Sequence, residues 1–341
     1  MNRTGYEKAS LAFGKEKEHF KPLGRARFLP DGLLCDWPAA GVEFLLDCEG
    51  TLAVTADVAE KRYFRCFVDG KDCGRVPASP GDERLTLAED LRAGTHRIRI
   101  LHDGDMTILH GSRTVLRALE VSCKAETLSA APQKKHLIEF IGDSITSGMG
   151  TLLDDRKDDC SYLHWAPAIH SAVASYAYGA AEELDADYSL VSKGGIGIVK
   201  EREALDMRRL YPTWNGYFDP NDAYDFPRTP DVIVNALGTN DASDDKFCAE
   251  MVAFSEMLRE KHGKDCKIVF FYNMMTSRQN ERIEAVVQQL GGSAAGFYPC
   301  RAVLGTHGGR ATEVSPCGHP SAADDTVNAA LLASFLRPLL G

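Results

Sequence analysis

The sequence predicts an α/β protein in which an antiparallel, jelly-roll-like β-sandwich precedes a doubly wound domain with a parallel sheet. Two observations carry this prediction. Apolar residues alternate with polar ones up to about residue 128, whereas from residue 134 onward short apolar runs alternate with amphipathic helical stretches. A chain of 341 residues is long enough for two domains, which we place at 1–128 and 134–341. The polar segment 125–135, which contains Pro132, is the predicted linker.

The sandwich is predicted from short alternating runs and from the turn residues between them. The runs are 42–46, 52–54, 63–68, 97–101 and 115–121. Turn-forming pairs separate them, at the spacing typical of an antiparallel sandwich: Asp69-Gly70, Pro80-Gly81, Ala93-Gly94 and Asp103-Gly104. The first of these pairs predicts a two-residue hairpin turn, because Asp and Gly both tolerate the positive φ that such a turn requires.

The second domain is predicted from four apolar runs that suit strands buried on both faces, at 136–141, 188–191, 232–237 and 268–272. Helical stretches are expected at 166–184, 246–262 and 278–290. A last helix should follow Pro320, because Ser321 can cap its N-terminus while Asp324 and Asp325 place negative charge in its first turn. This alternation is typical of a doubly wound sheet.

Composition and charge argue against several classes of protein. The net charge is −10 and no run of Lys and Arg forms a basic stripe, so neither nucleic acid nor a membrane is an expected partner. No stretch approaches the roughly 18 apolar residues of a membrane span. The N-terminus lacks the apolar segment of a secretory signal, so we expect a cytoplasmic protein. Its oligomeric state is left open by the sequence.

The ten cysteines are scattered, and none forms the Cys-x-x-Cys pair of zinc ribbons or thioredoxin-like proteins. We therefore expect reduced, mostly buried thiols. Cys160 and His164 lie four residues apart, with His170 nearby, but no second Cys or carboxylate completes a metal site there. The sequence predicts neither a metal nor another cofactor.

Residues suited to acyl chemistry follow the predicted parallel strands, where ligands of such sheets bind. Ser144 follows the first strand in GDS, Gly195 the second in GGIG, and Asn240 the third in GTND. His319 stands in GHPS, before the last helix. Ser144 can attack an acyl carbon if a base takes its proton, and His319 is the candidate base.

Charge on the attacked carbonyl oxygen requires hydrogen-bond donors that are already in place. The candidates are the backbone N–H of Ser144, the N–H of a glycine after the second strand (Gly194, Gly195 or Gly197) and the side-chain amide of Asn240. Asp143 and Asp241 are more simply explained as carboxylates that accept from N–H groups in turns.

These four blocks, in this order, closely resemble those of the SGNH (GDSL-type) hydrolases over about residues 136–341. The resemblance implies that Ser144 is the nucleophile, His319 the base, and Ser144, Gly195 and Asn240 the oxyanion hole. With the preceding sandwich, the stretches HLIEFIGDSITSGMG, DFPRTPDVIVNALGTND and GHPS resemble carbohydrate esterase family 2 in particular. That family removes O-acetyl groups from plant polysaccharides such as xylan and mannan, which implies an acetylated oligosaccharide or polysaccharide as the substrate.

The chain departs from the SGNH pattern at one position. These hydrolases commonly carry Asp three residues before the His, where this chain has Pro316. Because carbohydrate esterase family 2 includes Ser-His dyads, we expect His319 Nδ1 to donate to a backbone carbonyl, for example in the turn 316–318. Glu313, Asp324 and Asp325 are alternative acids.

Several interpretations of the aromatic residues and of the function remain open. Tyr211, Trp214, Tyr217 and Phe218 could stack on a sugar ring or pack in the core. The same scaffold could instead serve a lipase or thioesterase that acts on longer acyl chains. Because the usual Asp is missing, the protein could also be a catalytically weak carbohydrate-binding protein.

Overall fold

The computed structural model describes residues 5–106, 113–152, 166–303 and 319–341. The chain divides into two compact units, Met1–Gln133 and Lys134–Gly341. The division lies within the segment 125–135. Part of that segment is itself a strand, because Ser129–Ala130 pairs with Phe44 and Leu45 in the first unit.

The strands of the first unit pair in antiparallel fashion throughout the described residues. They are β1 (Glu7–Ala12), β2 (Lys21–Leu23), β3 (Arg27–Leu29), β4 (Gly32–Leu34), β5 (Gly41–Val58), β6 (Arg62–Val68), β7 (Lys71–Ala78), β8 (Gly81–His102), β9 (Thr114–Cys123) and β10 (Ser129–Ala130). The main path of pairing is β3-β4-β9-β5-β8-β6-β7, and β1 joins β9 while β2 and β10 join β5. Strand β5 thus changes partners along its length, as strands do at the corners of sandwiches.

The alternating pattern arises because one face of each strand is buried. In β6 the side chains of Phe64, Cys66 and Val68 are buried and the residues between them are half-buried. Between β6 and β7, Asp69 and Gly70 have φ of 52° and 78° and form the predicted hairpin turn. The predicted antiparallel domain is confirmed.

Two predicted breaks in these strands are wrong. The runs 42–46 and 52–54 belong to the single strand β5, whose pairing with β8 shifts register at Cys48, Gly50 and Leu52. Gly94 lies inside β8, opposite Cys48, and not in a turn. A bulge bends a strand without ending it, so these glycines mark irregular pairing where the sequence suggested loops.

The second unit has a parallel five-stranded sheet in the order β12-β11-β13-β14-β15. These strands are β11 (Leu137–Gly142), β12 (Asp187–Ser192), β13 (Val232–Asn235), β14 (Lys267–Tyr272) and β15 (Phe297–Arg301). Every residue of β12 and β13 is buried, which explains why their sequences do not alternate between apolar and exposed polar positions. The chain moves from β11 to one side and then to the other, and this change of direction creates a crevice at the carboxyl end of β11.

Helices connect these strands: α1 (Tyr176–Glu183), α2 (Met207–Leu210), α3 (Asp245–His262), α4 (Asn280–Gln289) and α5 (Ala322–Leu340). The helix expected at 166–184 begins only at Tyr176, after short turns that end at Ser175, whose hydroxyl caps α1. Helix α5 begins as predicted, with a capping box in which Ser321 and Asp324 accept from each other's backbone N–H. The sequence missed β15. The doubly wound fold class is confirmed.

The described cysteines are free thiols. Cys73 is exposed and Cys248 half-buried, whereas the others are buried: Cys35, Cys48, Cys66, Cys123, Cys266 and Cys300. Cys160 and Cys317 lie outside the described residues.

In the described part of the chain, no helix has both the length and the apolar content that crossing a bilayer would require.

Candidate active site

Ser144 and His319 meet beyond the carboxyl end of β11. The Oγ of Ser144 lies 2.9 Å from His319 Nε2, although the two residues are 175 positions apart in the chain. Both residues are only 4% exposed, so water competes little for this contact. The predicted nucleophile and the predicted base are therefore within the distance that direct proton transfer requires.

A tight turn after β11 presents Ser144. The Oδ1 of Asp143 accepts from the Ile145 N–H at 3.0 Å, and the carbonyl of Asp143 accepts from the Ser147 N–H at 3.1 Å. The N–H of Ser144 has no hydrogen-bond partner within the described ranges. This donor is consequently available to a ligand beside the Ser144 hydroxyl.

The loop after β12 supplies a second available donor. Gly195 has φ of 80°, a conformation that favours glycine, and its N–H makes no hydrogen bond to any residue that the structure describes. The N–H of Gly197, by contrast, already donates to the carbonyl of Lys200 at 2.9 Å. Of these two candidates for the middle donor, the geometry favours Gly195.

Asn240 ties the first loop to the second. Its Nδ2 donates to the carbonyl of Ile196 at 2.8 Å and to Asp143 Oδ2 at 3.2 Å. Both partners are acceptors only, which fixes the orientation of the amide group. Because Asp143 precedes Ser144 and Ile196 follows Gly195, all three predicted oxyanion donors belong to one hydrogen-bonded junction.

Asp241 holds the second loop in place. Its carboxylate accepts from three consecutive backbone N–H groups, those of Ile198, Val199 and Lys200, at 2.8–3.0 Å. A Cβ at Gly197 would lie 2.3 Å from Asp241 Oδ1, so only glycine fits beside the carboxylate. Asp241 thus has the structural role that the sequence suggests, and Asp143 combines such a role with its contact to Asn240.

Arg278 is a residue near the site that sequence reasoning missed. Its Nη2 donates to the carbonyls of Thr239 and Asp241, at 3.0 and 2.8 Å, and so binds the backbone on both sides of Asn240. Gln279 adds a bond from its Nε2 to the Asp241 carbonyl at 3.2 Å. These contacts join the segments after β13 and β14, which are close only in the folded sheet.

Neither acid in the first turn of α5 contacts His319. The Oδ2 of Asp324 accepts from the N–H and the hydroxyl of Ser321, at 3.1 and 2.9 Å. Asp325 is 1% exposed, and no side chain in the described part of the chain donates a hydrogen bond to its carboxyl oxygens. Burial raises the pKa of Asp325 well above its usual range, which favours the neutral acid.

The other proposed partners of His319 cannot be placed. Glu313 and the turn 316–318 lie outside the described residues.

The aromatic residues of the segment between β12 and β13 mostly pack in the core. Tyr211 is buried and donates from its hydroxyl to Glu139 Oε1 at 2.6 Å, while Trp214 and Tyr217 are also buried. Phe218 is 42% exposed and is the member of the four whose ring a sugar could reach.

The possible metal ligands do not assemble into a site that the structure describes. His170 accepts at Nδ1 from the Gly150 N–H at 3.0 Å, and Cys160 and His164 lie outside the described residues. Within the described ranges, no group of three or more His, Cys, Asp and Glu side chains could hold a metal ion.

Comparison with known proteins gives matches to both units. The family described as "Carbohydrate esterase 2 N-terminal" matches residues 23–132. The acetylxylan esterase / glucomannan deacetylase of Cellvibrio japonicus (strain Ueda107) is 28% identical over 329 residues, which cover 89% of this chain and 85% of that protein.

Two solved structures share the fold of the whole chain. A family two carbohydrate esterase from Clostridium thermocellum, in complex with cellohexaose, has a TM-score of 0.82 at 22% identity and covers 94% of this chain and 99% of its own. An acetyl xylan esterase from the rumen bacterium Butyrivibrio proteoclasticus has a TM-score of 0.81 at 22% identity and covers 98% and 99%.

Proposed function

We propose that the chain is a member of carbohydrate esterase family 2 and that it removes O-acetyl groups from plant polysaccharides or oligosaccharides of the xylan or mannan type. The observation that carries the proposal is the 2.9 Å contact between Ser144 Oγ and His319 Nε2. The names of the relatives support the choice of an acetylated carbohydrate over a lipid or a thioester.

Acylation begins when Ser144 Oγ attacks the carbonyl carbon of the acetyl group. His319 Nε2 takes the hydroxyl proton as the new C–O bond forms, and the carbonyl π electrons move onto the oxygen. The buried setting of both side chains supports this step, because a hydrogen bond is stronger where water is excluded.

Negative charge on the tetrahedral intermediate is stabilised by three donors: the N–H groups of Ser144 and Gly195 and the Nδ2 of Asn240. The two backbone donors are unoccupied in the described part of the chain. Asn240 contributes by turning one N–H from Asp143, its longer contact, toward the oxyanion while it keeps the 2.8 Å bond to Ile196.

The intermediate collapses when the bond from carbon to the sugar oxygen breaks. His319 gives its proton to that oxygen, and the deacetylated sugar leaves as a neutral alcohol. Water then attacks the acetyl group on Ser144, His319 accepts the proton of the water and returns it to Ser144 Oγ, and acetate is released. No metal or other cofactor takes part in these steps.

We further propose that Ser144 and His319 act as a dyad. Asp324 is occupied in capping α5, and Asp325 makes no hydrogen bond to His319 in the described part of the chain. A backbone carbonyl would then orient the His319 ring.

Acetate release measured by NMR from acetylated xylan and acetylated mannan, side by side, tests the proposal. We expect acetate from at least one polymer with the wild-type protein and none with Ser144→Ala. p-Nitrophenyl esters of increasing chain length complete the test, since a preference for C8 or longer acyl groups would contradict deacetylation as the function.

A further inference from the structure

An open cleft of about 650 Å³ lies beyond the carboxyl ends of β13, β14 and β15. Three arginines line it: Arg278 and Arg282, which follow β14, and Arg301, which ends β15. This is the edge of the sheet that also carries Ser144 and Asn240. Within the described ranges, the cleft and the candidate active site are connected by Arg278, which binds the backbone on both sides of Asn240.

Two of the three guanidinium groups are held by neutral acceptors. Arg278 donates through Nη2 to backbone carbonyls, and Arg282 donates through Nε and Nη2 to the hydroxyl and the carbonyl of Ser243, at 2.9 and 3.2 Å. None of the three arginines forms an ion pair with a carboxylate that the structure describes. Positive charge is therefore fixed in the cleft while several N–H donors remain available.

The acidic residues of the cleft do not cancel this charge. Glu284 accepts the hydroxyl proton of Tyr272 at 2.6 Å, and Glu281 lies in the first turn of α4, where the helix dipole favours a carboxylate. Three guanidinium groups face two carboxylates, so the lining is net positive in a chain whose net charge is −10. In such a chain, arginines without carboxylate partners at a site edge point to an anionic ligand.

We infer that this cleft binds the carboxylate of a uronic acid residue in the acetylated carbohydrate, on the same chain as the sugar whose ester reaches Ser144. The inference rests on the proposed function. Guanidinium groups recognise a planar carboxylate through paired N–H donors, which distinguishes it from a neutral sugar hydroxyl. The serine and asparagine side chains of the cleft, among them Ser277 and Asn280, supply neutral partners for the ring hydroxyls.

Two acetylated oligosaccharides that differ only in a glucuronic acid branch test the inference by their kcat/KM values. We expect the acidic substrate to be preferred by about fivefold, as partly exposed ion pairs allow, and the preference to shrink in high salt. Arg301→Gln and Arg282→Gln should each move the ratio of the two kcat/KM values toward one. Arg337→Gln removes an exposed arginine of α5 and is the matched control, with an unchanged ratio.

Calorimetric binding of the unacetylated forms of both oligosaccharides to the Ser144→Ala protein separates this inference from the proposed function. Tighter binding of the acidic form, lost in Arg301→Gln, would support the cleft even if no acetate were released by the wild-type enzyme. Equal binding of the two forms, or a preference that survives both arginine substitutions, would overturn the inference. The side chain of Arg301 makes no hydrogen bond within the described ranges, so its substitution should leave the fold intact.

Discussion

The side-chain amide of Asn240 donates to the carboxylate of Asp143 across 3.2 Å, and Asp143 is the residue that precedes Ser144. The same amide nitrogen bonds to Ile196 at 2.8 Å. The predicted oxyanion donor is therefore held by two acceptors of unequal distance before any substrate arrives. The shorter bond to Ile196 keeps the amide in place, while the longer contact to Asp143 is the one that is exchanged for the oxyanion when charge develops.

Asn240→Ala should lower kcat by about 100- to 1,000-fold, the usual effect of losing one oxyanion donor, with little change in KM. Steady-state kinetics on p-nitrophenyl acetate measures this effect. Asn221→Ala, at an exposed asparagine in the same unit, is the control and should retain wild-type kinetics. A wild-type kcat in Asn240→Ala would remove Asn240 from the oxyanion hole.

Asp143→Asn should lower kcat by about tenfold, the scale of one hydrogen bond to a charged group. An amide in place of the carboxylate has one acceptor oxygen, so it cannot serve both the Ile145 N–H and Asn240. Its effect should be smaller than that of Asn240→Ala, because the donor itself remains. A larger effect than that of Asn240→Ala in the same assay would assign Asp143 more than a positioning role.

Asp241→Asn should destabilise the catalytic unit by about 2 kcal/mol, because three backbone N–H groups lose part of their acceptor. The loop that carries Gly195 should also become more mobile. Thermal unfolding gives the change in stability, and hydrogen exchange of the amides in 194–200 reports on the loop. Unchanged exchange there would show that Asp241 does not hold the loop.

Asp324→Ala and Asp325→Ala should each retain turnover close to that of the wild type, and so should Glu313→Ala, if Ser144 and His319 form a dyad. Asp324→Ala should still cost about 1 kcal/mol of stability through the lost cap of α5. A loss of about 1,000-fold or more in kcat for one of the three variants would identify that residue as the acid that orients His319.

Asp325→Asn should gain stability relative to the wild type as the pH rises. Burial raises the pKa of Asp325 in the folded state, so the unfolded chain releases this proton first. The contribution of Asp325 to stability is complete below about pH 4, the unfolded pKa, and falls by up to about 1.4 kcal/mol per pH unit above it. Urea unfolding at several pH values measures the difference, and a constant difference between the two proteins would contradict a raised pKa.

Much of the fold could be predicted because the patterns reflect burial that is local to each element. All residues of β13 are buried, so the run at 232–237 is apolar except for Asn235, which is itself buried. Predictions failed where the same local sequence pattern occurs in two kinds of structure. Gly94 marks irregular pairing inside β8, and the residues before Tyr176 form short turns that share the composition of a helix.

The site likewise contains residues that could be predicted from the sequence and contacts that could not. Ser144, Gly195 and Asn240 could be predicted, since each lies in the loop that follows a strand whose carboxyl end faces the crevice. The hydrogen bonds from Arg278 to the carbonyls on both sides of Asn240 could not be predicted. They join residues that are 37 and 39 positions apart, and they depend on β13 and β14 being neighbours. The raised pKa of Asp325 could not be predicted either, because it depends on burial that no sequence pattern indicates.

The central claim is that Ser144 and His319 carry out acetyl transfer, and the most direct measurement is kcat/KM for an acetylated xylo-oligosaccharide in wild type, Ser144→Ala and His319→Ala. Ser293→Ala, at an exposed serine of the same unit, is the control and should match the wild type. We expect each catalytic variant to lose at least about 1,000-fold with its circular dichroism spectrum unchanged. Retained hydrolysis in folded Ser144→Ala protein would contradict the account.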